Sequence, residues 1–437
     1  MLDIRLIREQ PELIKTASAS KNVDAPVDRI LALDEERRAL ITEVETRKAE
    51  RNEGSKQVGK AKEAADRQTR IDAMRVLGDR ISAMDDRVRI VDAELHELML
   101  GIPNIPDAVV PVGPDEAANE VIEERGGKPA FGFVAKPHWE LAETLGIIDF
   151  DRGVKVAGSR FHVLRGDGAR LQRALTAWML DVHTRQHGYG EVDPPLMVLA
   201  ESLVGTGNLP KFADALFHIE GEDKWLIPTA EVPITNLYRD EILDEALLPI
   251  YHTAATPCFR HEQISGGREV RGIKRVYQFE KVEMVKFTHP DRSEEEHRRL
   301  LGEALAIVKG LQLPYRILRL STGDMTFASA HTYDIEIYAA GTREWLEVSS
   351  CSNFRDFQAR RANLRFRPEG GGRPQFLHTL NGSGLALPRT MIAILENNQR
   401  EDGTVAVPAV LKPYLGGQDV IGVQPALGPA QPAESGV

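Results

Sequence analysis

The amino-acid sequence predicts an α+β fold in which an N-terminal antiparallel coiled-coil hairpin arm precedes a domain built on an antiparallel sheet. The hairpin is predicted because residues 27–100 contain no proline and carry apolar side chains at alternating steps of three and four, the spacing of a coiled coil. The sheet is predicted because strand-like runs cluster between residues 225 and 385. Helical and strand patterns do not alternate there in a regular βαβ rhythm, which favours antiparallel pairing.

Length and composition restrict the class of protein. The chain has 437 residues, and at about 100–200 residues per domain this suggests two or three domains. Hydrophobic residues make up 42%, but no stretch approaches the roughly 18 uninterrupted apolar residues of a transmembrane helix. The charged start of the chain lacks the apolar segment of a secretory signal. We therefore expect a cytoplasmic protein with no membrane partner.

Cysteine and histidine usage bears on metal binding. The two cysteines, Cys258 and Cys351, are far apart in the sequence, which excludes a disulfide framework and a CxxC metal site. The 12 histidines are scattered without ligand spacing, so no zinc is expected. The net charge of −11 argues against nucleic-acid binding by the whole surface, although phosphate contacts need only a local basic patch.

The seam of the predicted hairpin is formed by apolar residues in two halves, separated by a polar stretch at 52–68. The clearer second half contains Leu77, Ile81, Met84, Val88, Val91, Leu95 and Leu98. The first half contains Ile30, Leu33, Leu40 and Val44. At about 1.5 Å per residue, roughly thirty residues per helix span on the order of 50 Å. We therefore expect residues 1–100 to include a projecting arm.

The tip of the hairpin is basic. Between Arg47 and Arg70 there are eight Lys or Arg residues against four acidic residues. Such a run is most often a solvated charged face. Because the chain as a whole is acidic, a basic tip is also a candidate site for contact with nucleic acid.

The rest of the chain divides by composition. Residues 101–130 contain five prolines and a Gly-Gly pair, which predicts a linker. Residues 131–417 mix strand-like and helix-like runs and form the predicted sheet domain. Residues 418–437 are rich in Pro, Gly and Ala without periodicity, which predicts a disordered tail.

Several short runs place arginine, glutamate and small hydroxyl residues in an apolar strand context. Charged residues are rarely buried unless they are paired, and the planar guanidinium group suits phosphate and carboxylate oxygens. Taken singly, each run is better explained by ordinary salt bridges at strand edges. The runs are Thr229–Glu231, Cys258–Glu262, Arg275–Glu283, Glu347–Ser350, and Asn381–Ser383 followed by Arg389.

Over residues 1 to about 417 the chain resembles the bacterial-type seryl-tRNA synthetases, a family of class II aminoacyl-tRNA synthetases. The helical arm is similar to the tRNA-binding arm of that family, and the sheet domain to its catalytic domain. Three ordered motifs carry the resemblance. They are His187-Gly-Tyr-Gly-Glu-Val-Asp-Pro-Pro-Leu-Met, Thr256-Pro-Cys-Phe-Arg through Glu283, and Leu385-Ala-Leu-Pro-Arg389 preceded by His378-Thr-Leu-Asn-Gly-Ser-Gly.

The resemblance implies a serine site. Thr229 and Glu231 would hold the ammonium group of serine, with Ala230 between them, while Glu283 and Ser383 would read its hydroxyl group. It also implies that Arg260, Glu347 and Arg389 are catalytic, with Arg260 bridging the substrate carboxylate and the α-phosphate. Threonine and alanine are the amino acids that such a site has to reject.

The resemblance further implies an ATP site. Phe279 and Arg389 would sandwich the adenine ring, Glu262 and the backbone of Val276 would read its edge, and Arg275 would reach the γ-phosphate. Mg²⁺ would accompany ATP, held by Glu347 and Ser350. The full set of implied ATP contacts is Arg260, His261, Glu262, Arg275, Val276, Phe279, Glu347, Val348, Ser349, Ser350 and Arg389. The loop after Arg260 departs from the family pattern, since His stands at 261 where many members have serine, and Gln-Ile at 263–264 where many have small residues.

The implied reaction agrees with the chemistry of these residue types. Serine's carboxylate is already a nucleophile, so its attack on the α-phosphorus needs no general base. Arginine and Mg²⁺ would offset the repulsion between the two anions. The implied partners are serine, ATP, tRNA(Ser), with tRNA(Sec) as a second candidate, and a second copy of the chain in a homodimer. Arg51, Lys56 and Lys60 at the hairpin tip would contact the tRNA.

Two other functions remain open from the residues alone. One is a synthetase relative that passes an activated small amino acid to a carrier protein, for which the basic arm would have no purpose. The other is a coiled-coil scaffold or nucleic-acid-binding protein with an inert sheet domain. Such a scaffold would have no need of Arg260, Glu283, Glu347 and Arg389 together.

Overall fold

The computed structural model describes residues 1–262 and 271–424. Contacts within the chain divide it into two compact units, Met1–Ile105 and Pro106–Val437. None of the helices in the described part of the chain is long and apolar enough to cross a membrane. The helices are α1 (Ile4–Glu9), α2 (Pro11–Ser20), α3 (Val27–Lys60), α4 (Ala64–Leu100), α5 (His138–Leu145), α6 (Phe150–Ala157), α7 (Asp167–Arg185), α8 (Ala200–Thr206), α9 (Glu231–Thr235), α10 (Ser293–Gly310), α11 (Phe357–Arg361) and α12 (Leu387–Asn397).

The strands all lie in the second unit. They are β1 (Glu120–Arg125), β2 (Ile148–Asp149), β3 (Val163–Leu164), β4 (Gly190–Glu191), β5 (Met197–Val198), β6 (Trp225–Leu226), β7 (Ile242–Asp244), β8 (Ile250–Phe259), β9 (Gln278–Thr288), β10 (Tyr315–Arg319), β11 (His331–Ala339), β12 (Glu344–Asn353), β13 (Arg365–Arg367), β14 (Gln375–Phe376), β15 (His378–Ala386), β16 (Val405–Ala406) and β17 (Val420–Ile421).

The first unit contains the predicted hairpin, in which α3 and α4 pack against each other. Its seam buries Ile30, Leu33 and Val91, and ion pairs such as Arg80 Nη2 to Glu43 Oε1 at 3.2 Å link the two helices on the surface. The amphipathic heptads therefore fold as the periodicity predicts.

The turn of the hairpin is shorter than the polar stretch at 52–68 indicated, because α3 ends at Lys60 and α4 begins at Ala64. The glycine at 54 lies inside α3 and has a packing role. A Cβ added there would lie 2.4 Å from the sulfur of Met74, so the missing side chain makes room for the thioether. Most of the polar residues at 52–68 belong to α3 or α4. A helix accommodates such residues because their side chains project into solvent.

The second unit is organised around an eight-stranded sheet with the order β1-β10-β11-β12-β15-β9-β8-β4. All neighbouring pairs are antiparallel except β4 and β8. Helices α7, α10 and α12 pack on the sheet around one core that includes Leu175, Met284 and Ile394. The prediction of an α+β fold with a helical hairpin and an antiparallel sheet is confirmed.

Two expected boundaries need correction. The segment 101–130 is not wholly a linker, because β1 pairs with β10 at the sheet edge and Arg319 Nη1 lies 2.8 Å from Glu120 Oε2. Its charged residues hide the strand from a search for apolar alternation, as is common on edge strands. Residues 418–424 are also ordered against the domain, since β17 pairs with β16. Residues 425–437 of the expected tail lie outside the described residues.

Candidate active site

The residues implied in substrate binding lie on and around four neighbouring strands, β12, β15, β9 and β8. Segments far apart in the sequence contribute to this region, because β15 lies between β12 and β9, which are not its neighbours along the chain. Strand β9 carries Phe279 and Glu283, β15 carries Ser383, β12 carries Glu347–Ser350, Arg389 lies in the first turn of α12, and Thr229–Glu231 lead into α9.

Glu283 and Ser383 form the centre of the implied serine site. They are directly opposite each other in the pairing of β9 with β15, and both are buried. Asn381 lies two residues before Ser383, on the same face of β15, and its Nδ2 donates to Glu283 Oε1 at 3.2 Å. Asn381 belongs to a run that the sequence singled out, but the resemblance assigned it no role, and the structure places it against Glu283.

Lys281 is a second residue that the sequence reasoning missed. Its Nζ donates to Thr229 Oγ1 at 2.8 Å and forms an ion pair with Glu283. The side chain is 7% exposed, so the ammonium group is buried with its partners. Because Lys281 precedes Glu283 by two residues on the same strand, their shared face was the available signal.

Glu231 carries a perturbed carboxyl group. Its backbone N–H donates to Thr229 Oγ1 at 3.2 Å, and its carboxylate accepts from Gln358 Nε2 at 2.7 Å. Burial, followed by the negative charge of Glu283, raises the pKa of Glu231 to about 7. The side chain of Ala230 is buried in the core, so any contact it makes with a ligand is through its backbone.

Arg260 is held at the end of β8. Its Nε donates to the carbonyl oxygen of Pro228 at 3.1 Å, and its guanidinium carbon lies 5.4 Å from the ring centre of Phe279. This contact has the geometry of a cation–π interaction. The two residues come together because Cys258 is opposite Phe279 in the β8–β9 register.

Glu347 and Arg389 form an ion pair. Arg389 Nη1 lies 3.1 Å from Glu347 Oε2 and 2.8 Å from the carbonyl oxygen of Glu347. Burial alone would raise the pKa of Glu347, but the positive charges of Arg389 and Arg260 outweigh it and lower that pKa. Glu347 is therefore an anion, with 45% of its side chain open to solvent.

A β-bulge brings Glu347 and Ser350 to one face of the sheet. Ser350 is opposite Asp334 and Glu347 is opposite Glu336, so Val348 is the extra residue of the bulge. Without it, residues three apart would point to opposite faces. Ser350 hydrogen-bonds to Asp334, whose pKa burial and Glu347 raise well above its usual range. Asp334 is a further acid at this face that the sequence reasoning missed.

Val348 and Ser349 point away from this face. Val348 is part of the main core, and the Ser349 hydroxyl group donates to the carbonyl oxygen of Ser383 at 2.7 Å. Both side chains are about 1% exposed. Contact with ATP from these two residues is therefore limited to their backbone.

The implied nucleotide contacts near the loop after Arg260 lie close together. Arg275 Nη1 is 3.5 Å from Glu262 Oε2, Val276 is buried, and the rings of His261 and Tyr277 stack with centres 5.3 Å apart. Residues 263–270, which include the Gln-Ile pair at 263–264 that departs from the family pattern, lie outside the described residues.

A buried hydrogen-bond network supports the segment that contains Arg275 and Val276. The N–H of Ile273 donates to His138 Nε2 at 3.2 Å, so the other ring nitrogen of His138 carries the proton and donates to Glu396 Oε1 at 2.9 Å. A Cβ on Gly272 would lie 1.9 Å from His138 Nε2. Only glycine therefore fits where this segment crosses the imidazole ring.

Oxygen ligands for a divalent cation are available at the bulge. Glu347 and Ser350 share one face, and carboxylate and hydroxyl oxygens suit Mg²⁺. A second cluster, formed by Asp107, Glu294 and His331, has ligand atoms within 4.8 Å of one another. There the guanidinium group of Arg355 pairs with both carboxylates, so one of their two negative charges is already balanced.

The residues implied in tRNA binding lie on the last three turns of α3. Lys56 and Lys60 are exposed and Arg51 is half-buried. The Nζ of Lys56 lies 3.4 Å from Glu53 Oε2, a surface ion pair that contributes little energy. These cations are thus accessible at the hairpin tip.

Two family models match the chain. The N-terminal domain of seryl-tRNA synthetase matches residues 1–106, and the class II tRNA synthetase core domain (G, H, P, S and T) matches residues 216–398.

Relatives and solved structures match over nearly the full length. The serine–tRNA ligase of Thermomicrobium roseum is 61% identical over 426 residues, covering 98% of this chain and 96% of that protein. The crystal structure of seryl-tRNA synthetase from Pyrococcus horikoshii complexed with ATP has a TM-score of 0.91 at 35% identity, and the match covers 97% of this chain and 100% of that one. The cytoplasmic serine–tRNA ligase from Naegleria fowleri in complex with AMP has a TM-score of 0.86 at 30% identity, with coverage of 97% and 99%.

Proposed function

The chain belongs to the seryl-tRNA synthetase family and is a serine–tRNA ligase of class II, and from this premise we propose the role of each site residue. The enzyme activates serine with ATP to seryl-adenylate and transfers the seryl group to the 3′ end of tRNA(Ser). The observation that carries the assignment of the amino-acid pocket is the pairing of buried Glu283 with Ser383. Charging of tRNA(Sec) by the same site is a narrower proposal.

Serine binds between β9, β15 and the start of α9. Thr229 and Glu231 hold its ammonium group, which donates to the Glu231 carboxylate, while Glu283 and Ser383 hydrogen-bond to its hydroxyl group. Lys281 holds the pocket in shape before serine arrives, because its Nζ contacts Thr229 and Glu283. A buried pocket with fixed polar partners suits a small, zwitterionic substrate.

Adenylate formation is a displacement at phosphorus. A carboxylate oxygen of serine forms a bond to the α-phosphorus as the bond from that phosphorus to the pyrophosphate oxygen breaks. Arg260 contacts both anions and stabilises the charge that develops on the phosphorus oxygens. Glu347 and Ser350 would hold Mg²⁺ together with ATP, and the ion would supply further positive charge at the phosphates.

The adenosine part of ATP lies beside Phe279. Phe279 stacks on one face of the adenine ring and Arg389 on the other, while Glu262 and the backbone of Val276 hydrogen-bond to the adenine edge. Arg275 binds the γ-phosphate. Arg389 is oriented for this role by its bonds to Glu347, and the contact between Arg260 and Phe279 links the adenine site to the reacting centre.

In the second reaction a ribose hydroxyl of the terminal adenosine of tRNA attacks the adenylate carbonyl. The α3–α4 hairpin binds the tRNA through Arg51, Lys56 and Lys60. RNA helices are recognised largely through shape, phosphates and sugar hydroxyls, which suits exposed cations on a rigid helical tip. We propose that this enzyme works in the cytoplasm.

We also propose a homodimer that forms through Gly188–Met197 and the preceding helix α7. Exposed apolar side chains at the end of this segment support the proposal, since Met197 is 55% and Leu199 38% exposed. Sedimentation at micromolar concentration tests it. A particle of twice 48.5 kDa is expected, and a monomer at that concentration would contradict it.

Serine-dependent exchange of pyrophosphate into ATP, run with a panel of amino acids, tests the function as a whole. Exchange should depend on serine and Mg²⁺, and aminoacylation should require tRNA(Ser). Exchange with serine but transfer to a carrier protein in place of tRNA would contradict the second step. A parallel aminoacylation assay with tRNA(Sec) tests separately whether the same site also charges that tRNA.

A further inference from the structure

His183 lies on α7, 201 residues before Gly384 in the sequence, and it contacts the backbone of Gly384 beside the serine pocket. The ring is fully buried, and its Nε2 lies 3.2 Å from the carbonyl oxygen of Gly384. Burial lowers the pKa of His183 to about 4, so the ring is neutral. Because a carbonyl oxygen can only accept, Nε2 carries the ring proton, and Nδ1 accepts from His187 Nδ1 at 3.0 Å.

Gly384 is part of a break in the ladder between β15 and β9. Ser383 is opposite Glu283, but the next pair joins Ala386 to Lys281, so three steps on β15 match two steps on β9. A bulge of this kind takes backbone groups out of the ladder, and buried ones need other partners. Two buried side chains supply them, since Ser349 donates to the carbonyl oxygen of Ser383 and His183 donates to that of Gly384.

Packing leaves this bulge no space to move. A Cβ on Gly384 would lie 2.4 Å from His183 Nε2, and a Cβ on Gly382 would lie 2.9 Å from Cys351 Sγ. Ser383 is therefore flanked by two glycines, each in close contact with a buried side chain. Displacement of the imidazole would free the carbonyl group of Gly384, which lies in the peptide that joins Gly384 to Leu385.

We propose that His183 is a positioning residue for serine recognition, which holds the bulge that sets Ser383 opposite Glu283. The inference rests on the proposed roles of Glu283 and Ser383 as the groups that read the substrate hydroxyl. A specificity pocket depends on placement within a fraction of an ångström. Helix α7, which precedes the first motif, thus also contributes to the shape of the amino-acid pocket.

Two substitutions of the same residue separate this role from packing. His183→Gln keeps an N–H donor near the position of Nε2, whereas His183→Asn is shorter and loses it. The KM for serine should rise roughly tenfold to a hundredfold in H183N and stay near the native value in H183Q, with the KM for ATP unchanged in both. The ratio of serine to alanine activation should fall in H183N alone. Thr184→Ala, on the same helix and bonded only to the backbone of that helix, serves as the matched control.

A native serine KM and a native serine-to-alanine ratio in H183N would overturn the proposal, as would equal loss for serine and ATP in both variants. If H183N is unstable, His183→Leu can take its place in the comparison with H183Q, because it replaces the donor with an apolar group of similar volume. Ser383→Ala distinguishes the two levels of inference. If S383A leaves serine recognition intact, the pocket assignment fails; if S383A impairs it and H183N does not, only the positioning role fails.

Discussion

Glu283 and Ser383 are direct cross-strand neighbours on β9 and β15. Directly opposite residues of an antiparallel pair have Cβ atoms about 4.5–5.5 Å apart and share one face. A carboxylate and a hydroxyl group therefore converge on one small volume, where Asn381 also donates to Glu283. This arrangement suits a hydrogen-bonded guest that carries both a donor and an acceptor, as the serine hydroxyl group does.

The first prediction concerns errors in amino-acid selection. Alanine leaves Glu283 and Ser383 without their partner, so discrimination against it should reach roughly 10⁴ or more without editing. Threonine keeps the hydroxyl group and is excluded only by its extra methyl group, which gives weaker discrimination. Pyrophosphate exchange should therefore be faster with threonine than with alanine. The reverse order would show that this pair does not read the hydroxyl group.

The second prediction concerns Arg260. Arg260→Ala should slow adenylate formation by about 3–4 kcal/mol, or roughly 10²–10³-fold, because a preorganised charge at the reacting centre is lost. Arg260→Lys should recover part of the rate, since it keeps the charge but not the planar fork. Arg152→Ala, which removes an exposed arginine paired with Asp149, is the control. Near-native exchange in folded R260A would exclude a catalytic role.

The third prediction follows from the pKa of Glu231, which burial and Glu283 raise to about 7. Only the ionised carboxylate can pair with the ammonium group of serine. As pH falls through about 7 the ionised fraction decreases, so kcat/KM for serine should fall with it, by about tenfold per pH unit at lower pH. Glu231→Gln should have a low kcat/KM that does not change across this range. A native profile with no inflection between pH 6 and 8 would contradict the assignment.

The fourth prediction concerns the stability of the sheet unit. Lys286 is fully buried, and its Nζ lies 3.0 Å from both Glu296 Oε2 and Glu303 Oε2. Lys286→Ala removes the buried cation that the two carboxylates share, while the half-exposed Arg292 and Arg299 remain beside them, and it should cost about 3–5 kcal/mol. Every tryptophan of the chain lies after residue 105, so tryptophan fluorescence reports unfolding of this unit. Lys309→Ala, at an exposed position of α10, should leave the denaturation midpoint unchanged.

The fifth prediction concerns the arm. Replacement of residues 36–91 by a short Gly-rich turn should preserve serine-dependent exchange and abolish most aminoacylation. A short turn can bridge this deletion because α3 and α4 are in contact at that level, where Arg37 pairs with Asp92. The two ends that the turn has to join are therefore close. Full aminoacylation by the shortened protein would rule out the proposed role of the arm, and so would a loss of exchange in a folded core.

A milder change tests the tip itself. Neutralising Arg51, Lys56 and Lys60 together should weaken tRNA binding and reduce its dependence on salt, because fewer phosphate contacts remain. The KM for serine should not change. An unaltered affinity for tRNA at several salt concentrations would place the tRNA contacts elsewhere on the arm.

The sequence by itself determined the helical hairpin, the class of the sheet domain and the residues of the three motifs. Heptad spacing is a property of consecutive residues, so the packing of α3 against α4 could be predicted before any contact was known. The residue types at Arg260, Glu283 and Arg389 were compatible with phosphate and carboxylate binding, but each was also explained by ordinary salt bridges, and it was the ordered motifs together that gave these residues a role.

Only the tertiary structure decided which residues meet. Asn381 joins Glu283, Lys281 joins Thr229, and His183 reaches Gly384, through pairings of segments that no local pattern relates. The two bulges, at Val348 and after Ser383, decide which face each side chain occupies, and one residue of register reverses that choice. The same holds for β1, whose charged residues form a strand only because β10 provides hydrogen-bonding partners. Register is set by the packing of the whole sheet, and it is therefore absent from any short stretch of sequence.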